Sequence, residues 1–395
     1  MSRHAQSLDQ QLCEHLSIGV LARSFPLVTV RQVLTDTGRQ SQRQRDLGAE
    51  VIVYYVIALG LFMTASYEEV LRCLRQGLHW LGGGLGRTST KGALSIARQR
   101  LGAEPLRLLY ERCALPLSRK EHPGGYYRQW RLVALDGSTL ALQNTADNQA
   151  HFGSSHGGRG DSAWPLMRFA ALCEVGTHLI LAAAPGSYRT AELELGAQLI
   201  PKLQPDMLCL ADRLFFNCRL WSQACATGTA LLWRVSKAFT LPVIKPLPDG
   251  SYLSEIYPTP KDKRHKREAV VVRVIEYELQ GGTGSEPTYR LATNILTPEQ
   301  APALELAQLY PQRWEMEGCF DEIKTHLREG RKVLRSKLHD LVLQEFWGLL
   351  LAHYAVRSLM VEAAQRRGRD PDEVSFVHAV RVVRRKAGSP LPFSP

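Results

Sequence analysis

Apolar positions recur every three to four residues through roughly the first 120 positions, the spacing of helices with one buried face. VLARSFPLVTVRQVLTDTG (20–38) predicts a short helix, a proline-marked turn and a second helix ended by Gly38. VIVYYVIALGLFMTA (51–65) is apolar on every side and predicts a buried helix. It falls short of the roughly 20 residues that a bilayer span needs. SYEEVLRCLRQGL (66–78) and ALSIARQRLGAEPLRLLYERCAL (93–115) keep the helical period, and each predicts a helix. Near Trp130 the pattern changes. RLVALDGSTLAL (131–142) predicts an apolar strand that ends at Asp136–Gly137, and LMRFAALCEV (166–175) and THLILAAAPGS (177–187) a hairpin or meander. TAELELGAQLIPKL (190–203) reads as an amphipathic helix, MLCLAD (207–212) as a buried strand ending in Asp212, FFNCRLWSQACATG as a helix and ALLWRVS (230–236) as a strand. Strands and helices in this order make an α/β sheet. Residues 237–290, punctuated by proline and glycine, read as a β-rich insertion containing a basic loop, KDKRHKR. From about residue 298 the chain is helical again, with an apolar helix at 341–360 and a basic end, RVVRRK.

Charge changes the picture next. The net charge of +11 favours a polyanionic partner such as DNA, RNA or an anionic membrane surface. Arg39, Arg43, Arg45, Arg72, Arg75, Arg98 and Arg100 crowd the helical N-terminus. They are either a solvated face or a DNA-binding one. The N-terminus has no signal-peptide pattern, and the eight cysteines have no CxxC pair or zinc-ligand spacing, so a cytoplasmic protein with reduced thiols is expected.

Asp136 and Asp212 both follow apolar strands, where α/β folds collect ligands. Alone, the first is also a common strand-end turn and the second a helix cap. YPQRWEMEGCFDEIKTHLREG (310–330) adds a third carboxylate. On one continuous helix at about 100° per residue, Tyr310, Arg313, Glu317 and Lys324 share a stripe about 60° wide. Glu315 and Glu322 point away from it. Salt-bridge lacing is one reading of these charges. A face that holds metal against phosphate is the other. Three carboxylates without thiolate or imidazole ligands suit Mg²⁺ or Mn²⁺, two ions of which clamp an in-line phosphoryl transfer.

The spacing Tyr310-x2-Arg313-x3-Glu317-x6-Lys324, with Trp314 and Phe320, resembles the YREK signature of DDE transposases of the insertion-sequence-4 family. VALDGSTL resembles the family's first-Asp block, CLADRLFF its second and LATNIL its TN block, and the resemblance runs from about residue 15 to 360. It implies a ribonuclease H-like core with a β-rich insertion, preceded by an all-helical N-terminal domain and followed by C-terminal helices. The expected divisions are a DNA-binding unit at 1–125, the core at 126–236 and 291–335, the insertion at 237–290 and the C-terminal region at 336–395. The resemblance also implies that Asp136, Asp212 and Glu317 ligate two Mg²⁺ ions, replaceable by Mn²⁺. Tyr310, Arg313 and Lys324 would contact DNA phosphates, and Tyr289 would stack on a flipped base. The expected partners are terminal inverted repeats, target DNA and a second copy of the chain in a synaptic complex, with no membrane and with nucleoid association on DNA. The expected reaction is cut-and-paste transposition through a hairpin. A silent DNA-binding regulator and a metal nuclease of the same fold are the alternatives. One departure stands out: Leu214 replaces the glycine of the usual DRGF block.

Overall fold

The computed structural model describes residues 19–43, 47–77, 89–157, 160–161, 164–278, 288–330 and 332–386. Its helices are α1 (Gly19–Ser24), α2 (Leu27–Asp36), α3 (Ala49–Leu61), α4 (Tyr67–Gly77), α5 (Lys91–Leu101), α6 (Glu104–Cys113), α7 (Ala146–Phe152), α8 (Glu192–Ala197), α9 (Cys218–Ala226), α10 (Pro260–His265), α11 (Ala303–Leu309), α12 (Glu315–Asp321), α13 (His339–Arg366) and α14 (Phe376–Lys386). The main strands are β1 (Trp130–Leu142), β2 (Leu166–Glu174), β3 (Leu179–Ser187), β4 (Met207–Ala211), β5 (Ala230–Arg234), β6 (Tyr252–Ile256), β7 (Val270–Glu278) and β8 (Thr288–Thr293).

Gly38, at φ 64°, follows α2 in the left-handed conformation that ends many helices. The single helix expected over 93–115 is two, α5 and α6. Gly102 at φ 72° and Pro105 in the first turn of α6 divide them. Every residue of α3 from Ile52 to Leu61 is buried, as its all-round apolar sequence demands. Its main partner is α13, at the other end of the chain. Two glycines set that close crossing: a Cβ on Gly60 would lie 3.0 Å from the Ala352 Cβ, and one on Gly348 would lie 2.7 Å from Val56 Cγ1. Phe25 packs on Tyr354 and Tyr110 on Trp347, so the first and last helices share one core.

The sheet is mixed, in the order β3-β2-β1-β4-β5-β8-β7-β6. β1, β2 and β3 form an antiparallel meander, and β4 and β5 run parallel to β1. The β-rich segment does not fold apart. β8 pairs antiparallel with β5, so its strands extend the same sheet. Helices cover both faces. Leu132, Ala134, Leu208 and Leu210 join the core beneath α3 and α13, whereas Val133, Leu135, Cys209 and Ala211 pack with residues of α8 and α9. The helix expected over 190–203 is shorter, ending at Ala197 and followed by a 3-10 turn at Ile200–Lys202 that contains Pro201. KDKRHKR is mostly helical rather than a loop, lying largely in α10 and capped by the Thr259 side chain. The seven described cysteines are free thiols. Among the described residues no helix is long and apolar enough to cross a membrane.

Candidate active site

The parallel register of β1 and β4 pairs Leu135 with Ala211. The next residues are therefore neighbours: Asp136 on β1 and Asp212 just past the end of β4 lie side by side, at the spacing of adjacent strands, about 4.8 Å. By alternation both turn to the face that Met316, Cys319, Phe320 and Ile323 cover. The expectation that β1 ends at Asp136 is corrected, because the strand runs on to Leu142. Its continued pairing with β2 leaves no turn at Asp136–Gly137. Asp212 is the first residue beyond β4, and it does not cap α9. The Asn217 side chain does that, accepting from Leu220 N at 2.9 Å.

Asp136 has both oxygens engaged. Oδ1 accepts from the Gly137 amide at 2.8 Å and Oδ2 from Arg313 Nη1 at 2.9 Å. Burial raises its pKa above the ordinary aspartate value. Gly137 and Arg313 oppose that rise, and the charges of Asp212 and Glu317 reinforce it. Asp212 differs, because its Oδ1 is buried with no donor among the described residues. Such an oxygen costs about 1–3 kcal/mol unless something binds it.

The segment that carries Glu317 is not one α-helix. Tyr310–Trp314 is a 3-10 turn, Glu315–Asp321 is α12 and Glu322–His326 is a π-helical turn. The uniform stripe drawn at 100° per residue is corrected accordingly. Arg313 and Glu317 still reach Asp136 electrostatically, and Lys324 Nζ lies 3.1 Å from the hydroxyl of Ser138, two residues along β1. Tyr310 is buried, and its hydroxyl donates to the Ala211 carbonyl at 3.2 Å. It braces the end of β4 from behind and presents no open face to a phosphate. Tyr289, on β8, is half-buried between the Arg234 guanidinium, 4.1 Å from its ring centre, and Tyr277 at 5.7 Å. Arg234, Tyr277 and Asp212 all lie within electrostatic reach of Tyr310, so this aromatic cluster borders the carboxylates. Leu214 and Trp314 expose their apolar side chains beside the site.

On the opposite side of this segment the carboxylate is paired with cationic and imidazole donors. Glu322 takes hydrogen bonds from Arg357 Nε and from His353, both at 2.8 Å. His178, Glu315 and Asp372 bring ligand-type atoms within 4.8 Å of one another. Arg357 Nη2, 2.6 Å from His178 Nδ1, leaves Nε2 to carry a proton toward Glu315 at 3.0 Å. A protonated nitrogen beside a guanidinium is a poor metal ligand.

Two neighbouring aspartates of one sheet, within electrostatic reach of a glutamate on a helix, are what a DDE domain requires. The model of the family described as "Transposase DDE domain" matches residues 129–354, more than half of the chain, and that described as "Insertion element 4 transposase N-terminal" matches 15–111. The chain is a DDE transposase of the insertion-sequence-4 family. The transposase is 27% identical to "Transposase InsG for insertion sequence element IS4" of Escherichia coli (strain K12), over 90% of this chain and 80% of that protein. It is 24% identical to "Putative transposase InsZ" of the same organism, over 53% of this chain and 68% of that one. A solved piggyBac transposase synaptic complex with hairpin DNA covers 96% of this chain and 82% of its own, at TM-score 0.46 and 10% identity. A likeness that loose carries no argument.

A DDE domain implies a divalent metal, and the transposase's residues fit one. The donor set of Asp136, Asp212 and Glu317 is all oxygen, and the orphaned Asp212 oxygen is suited to a hard cation. Sequence reasoning missed four residues that the structure places here: Ser138, Arg234, Tyr277 and Glu192. Ser138 sits in the first-Asp block itself, where its two-residue offset from Asp136 was a usable signal. Only strand pairing reveals Arg234 and Tyr277, and only the packing of α8 on the sheet reveals Glu192.

Proposed function

We propose that the transposase performs cut-and-paste transposition of an insertion sequence, with Asp136, Asp212 and Glu317 as the metal-holding triad of a ribonuclease H-like core. The buried, donorless Oδ1 of Asp212 beside Asp136 and Glu317 carries this reading. The strand order β3-β2-β1-β4-β5 supports the core assignment. When bound, two Mg²⁺ ions, or Mn²⁺ in their place, activate the attacking hydroxyl and steady the leaving oxygen.

The chain's own groups set the stage. Arg313 holds Asp136 in place and balances part of the triad's charge. Lys324, exposed next to Ser138, grips a phosphate of the transposon end. Tyr289, backed by Arg234, offers its ring to an unstacked base. Tyr310 acts by bracing Ala211. Water attacks the phosphorus, the P–O3′ bond breaks, and the freed 3′-OH becomes the next nucleophile. That hydroxyl attacks a phosphorus of the opposite strand and expels the 3′-oxygen of the flanking DNA as a hairpin closes. A second water breaks the hairpin P–O3′ bond and restores the 3′-OH, which attacks a target phosphorus and expels a target 3′-OH. The N-terminal helices within 1–125 bind the terminal repeats, and a homodimer synapses the two ends. A cytoplasmic, nucleoid-associated location follows.

Not every basic residue of the N-terminal helices serves DNA. Arg98 is buried, bonding to Gln344, Ser336 and the Leu341 carbonyl. Arg72 pairs with Glu69. Arg45 lies outside the described residues, as does the Arg75 side chain.

Incubating the transposase with pre-cut ends, a target plasmid and Mg²⁺ tests the proposal. Joined product is expected. Cleavage of intact ends without joining identifies a nuclease, and end binding without cleavage in Mg²⁺ or Mn²⁺ identifies a silent regulator.

A further inference from the structure

Gly137 follows Asp136 in the middle of β1, where no turn calls for a glycine. What it accommodates is Glu192, the first residue of α8. A Cβ on Gly137 would lie 2.3 Å from Glu192 Cδ and 2.6 Å from its Oε1. No side chain fits at position 137 while that carboxylate stays where it is. α8 packs against the sheet face opposite to Asp136, through Leu195 with Val133, Leu135 and Ala211. β4 ends at Ala211, the partner of Leu135 and two positions short of the level of Gly137, so no strand of that side walls off the carboxylate. Glu192 therefore sits where the two faces communicate, within electrostatic reach of both Asp136 and Asp212.

Its surroundings are wrong for a structural ion pair. Arg168, the cation nearest in effect, gives Nη1 to the Thr190 carbonyl at 2.8 Å and lies 4.6 Å from the Tyr188 ring centre. A half-buried carboxylate set beside two others is unfavourable unless a cation shares the site.

We infer that Glu192 is a fourth carboxylate of the metal centre, held against the backbone of Gly137 and acting with Asp136 and Asp212 on the divalent ion. This inference rests on the triad proposed above. It also explains Gly137, which keeps open the space through which a carboxylate from the second layer reaches the site.

The test is Mn²⁺ binding to the full-length transposase, followed by calorimetry and by the electron paramagnetic resonance of free Mn²⁺. Glu192→Gln is expected to weaken Mn²⁺ binding about tenfold, the lower end of what supporting groups around a metal contribute. Gly137→Ala, which displaces the carboxylate, is expected to match it, and the double variant should be no worse than either alone. Asp136→Asn is the control. If it loses Mn²⁺ while Glu192→Gln binds as the parent does, the inference is wrong and the triad stands. If neither variant changes Mn²⁺ binding, the triad reading itself fails. A second measurement needs no variant. Fe²⁺ with ascorbate should cut the unmodified backbone next to residue 192 as well as next to 136 and 212. Cuts confined to 136 and 212 overturn the inference.

Discussion

Glu317 and Glu322 lie five residues apart on one segment and meet opposite surroundings. Glu322 is buried and saturated, with Arg357 and His353 bonded to its oxygens and His178 close by. Glu317 is exposed and faces Asp136, whose neighbour Asp212 keeps an oxygen with no donor among the described residues. One side of the segment spends its charges on holding α12 to α13 and to the β2–β3 turn. The other side leaves carboxylates together with too few cations. Residue type does not separate the two sides, since both use Glu and Arg. The pairing of the carboxylate oxygens does, and the side where an oxygen goes unpaired is the one suited to a metal and a phosphate.

The largest effect expected from this contrast is on the side with the unpaired oxygen. Asp212→Asn should reduce DNA cleavage by at least about 10³-fold, measured on labelled transposon ends. Thermal stability should be unchanged or raised, because a carboxylate with a buried unpartnered oxygen is removed. A loss of melting temperature as large as the loss of activity would merge the two sides and break the comparison.

On the paired side the expectation inverts. Arg357→Met leaves Glu322 buried and without its main cation, and should cost about 3–5 kcal/mol of stability, read from denaturant unfolding. Variant protein that still folds should keep its affinity for Mn²⁺. A variant of parental stability that binds no Mn²⁺ would place the metal on the wrong side of α12.

Acid sharpens the same point. Burial alone would raise the Glu322 carboxyl, but the adjacent His178 and His353 imidazoles and the charge of Arg357 override it and hold the group far below the usual range. The sign follows from that depression. The stability it contributes is present above the ordinary glutamate value near 4.5 and is lost as pH falls toward the lowered one. Melting temperature should therefore fall steeply below about pH 4, and Glu322→Gln should flatten that limb while lowering stability at neutral pH. An unchanged acid limb would remove Glu322 from the account.

The smallest effect concerns the insertion. Tyr289→Ala should cost about 1–3 kcal/mol in the binding of a transposon end with an unpaired terminal base and little with a fully paired one. An equal loss on both would make Tyr289 a strand residue that supports Arg234.

The proposed triad stands out in the sequence because each carboxylate lies in a short local pattern: an apolar strand before Asp136, another before Asp212, and fixed spacings around Glu317. Local pattern misled where tertiary pairing decides. Asp-Gly resembles a turn, yet β2 keeps β1 straight through Gly137. The even helical stripe became a 3-10 turn, an α-helix and a π-helical turn, because Tyr310 must reach the Ala211 carbonyl while Glu322 reaches Arg357. Glu192 was invisible because nothing in TAELELG marks it. Its role depends on a glycine 55 positions earlier, brought beside it only by the sheet. The shared core of α3 and α13 was hidden for the same reason, although the all-round apolar sequence of α3 did announce that something must cover it.

The most direct test of the metal-holding triad is anomalous scattering from crystals of the transposase grown with Mn²⁺. The account predicts Mn²⁺ peaks between Asp136, Asp212 and Glu317. Peaks confined to His178, Glu315 and Asp372, with none at the triad, would contradict it.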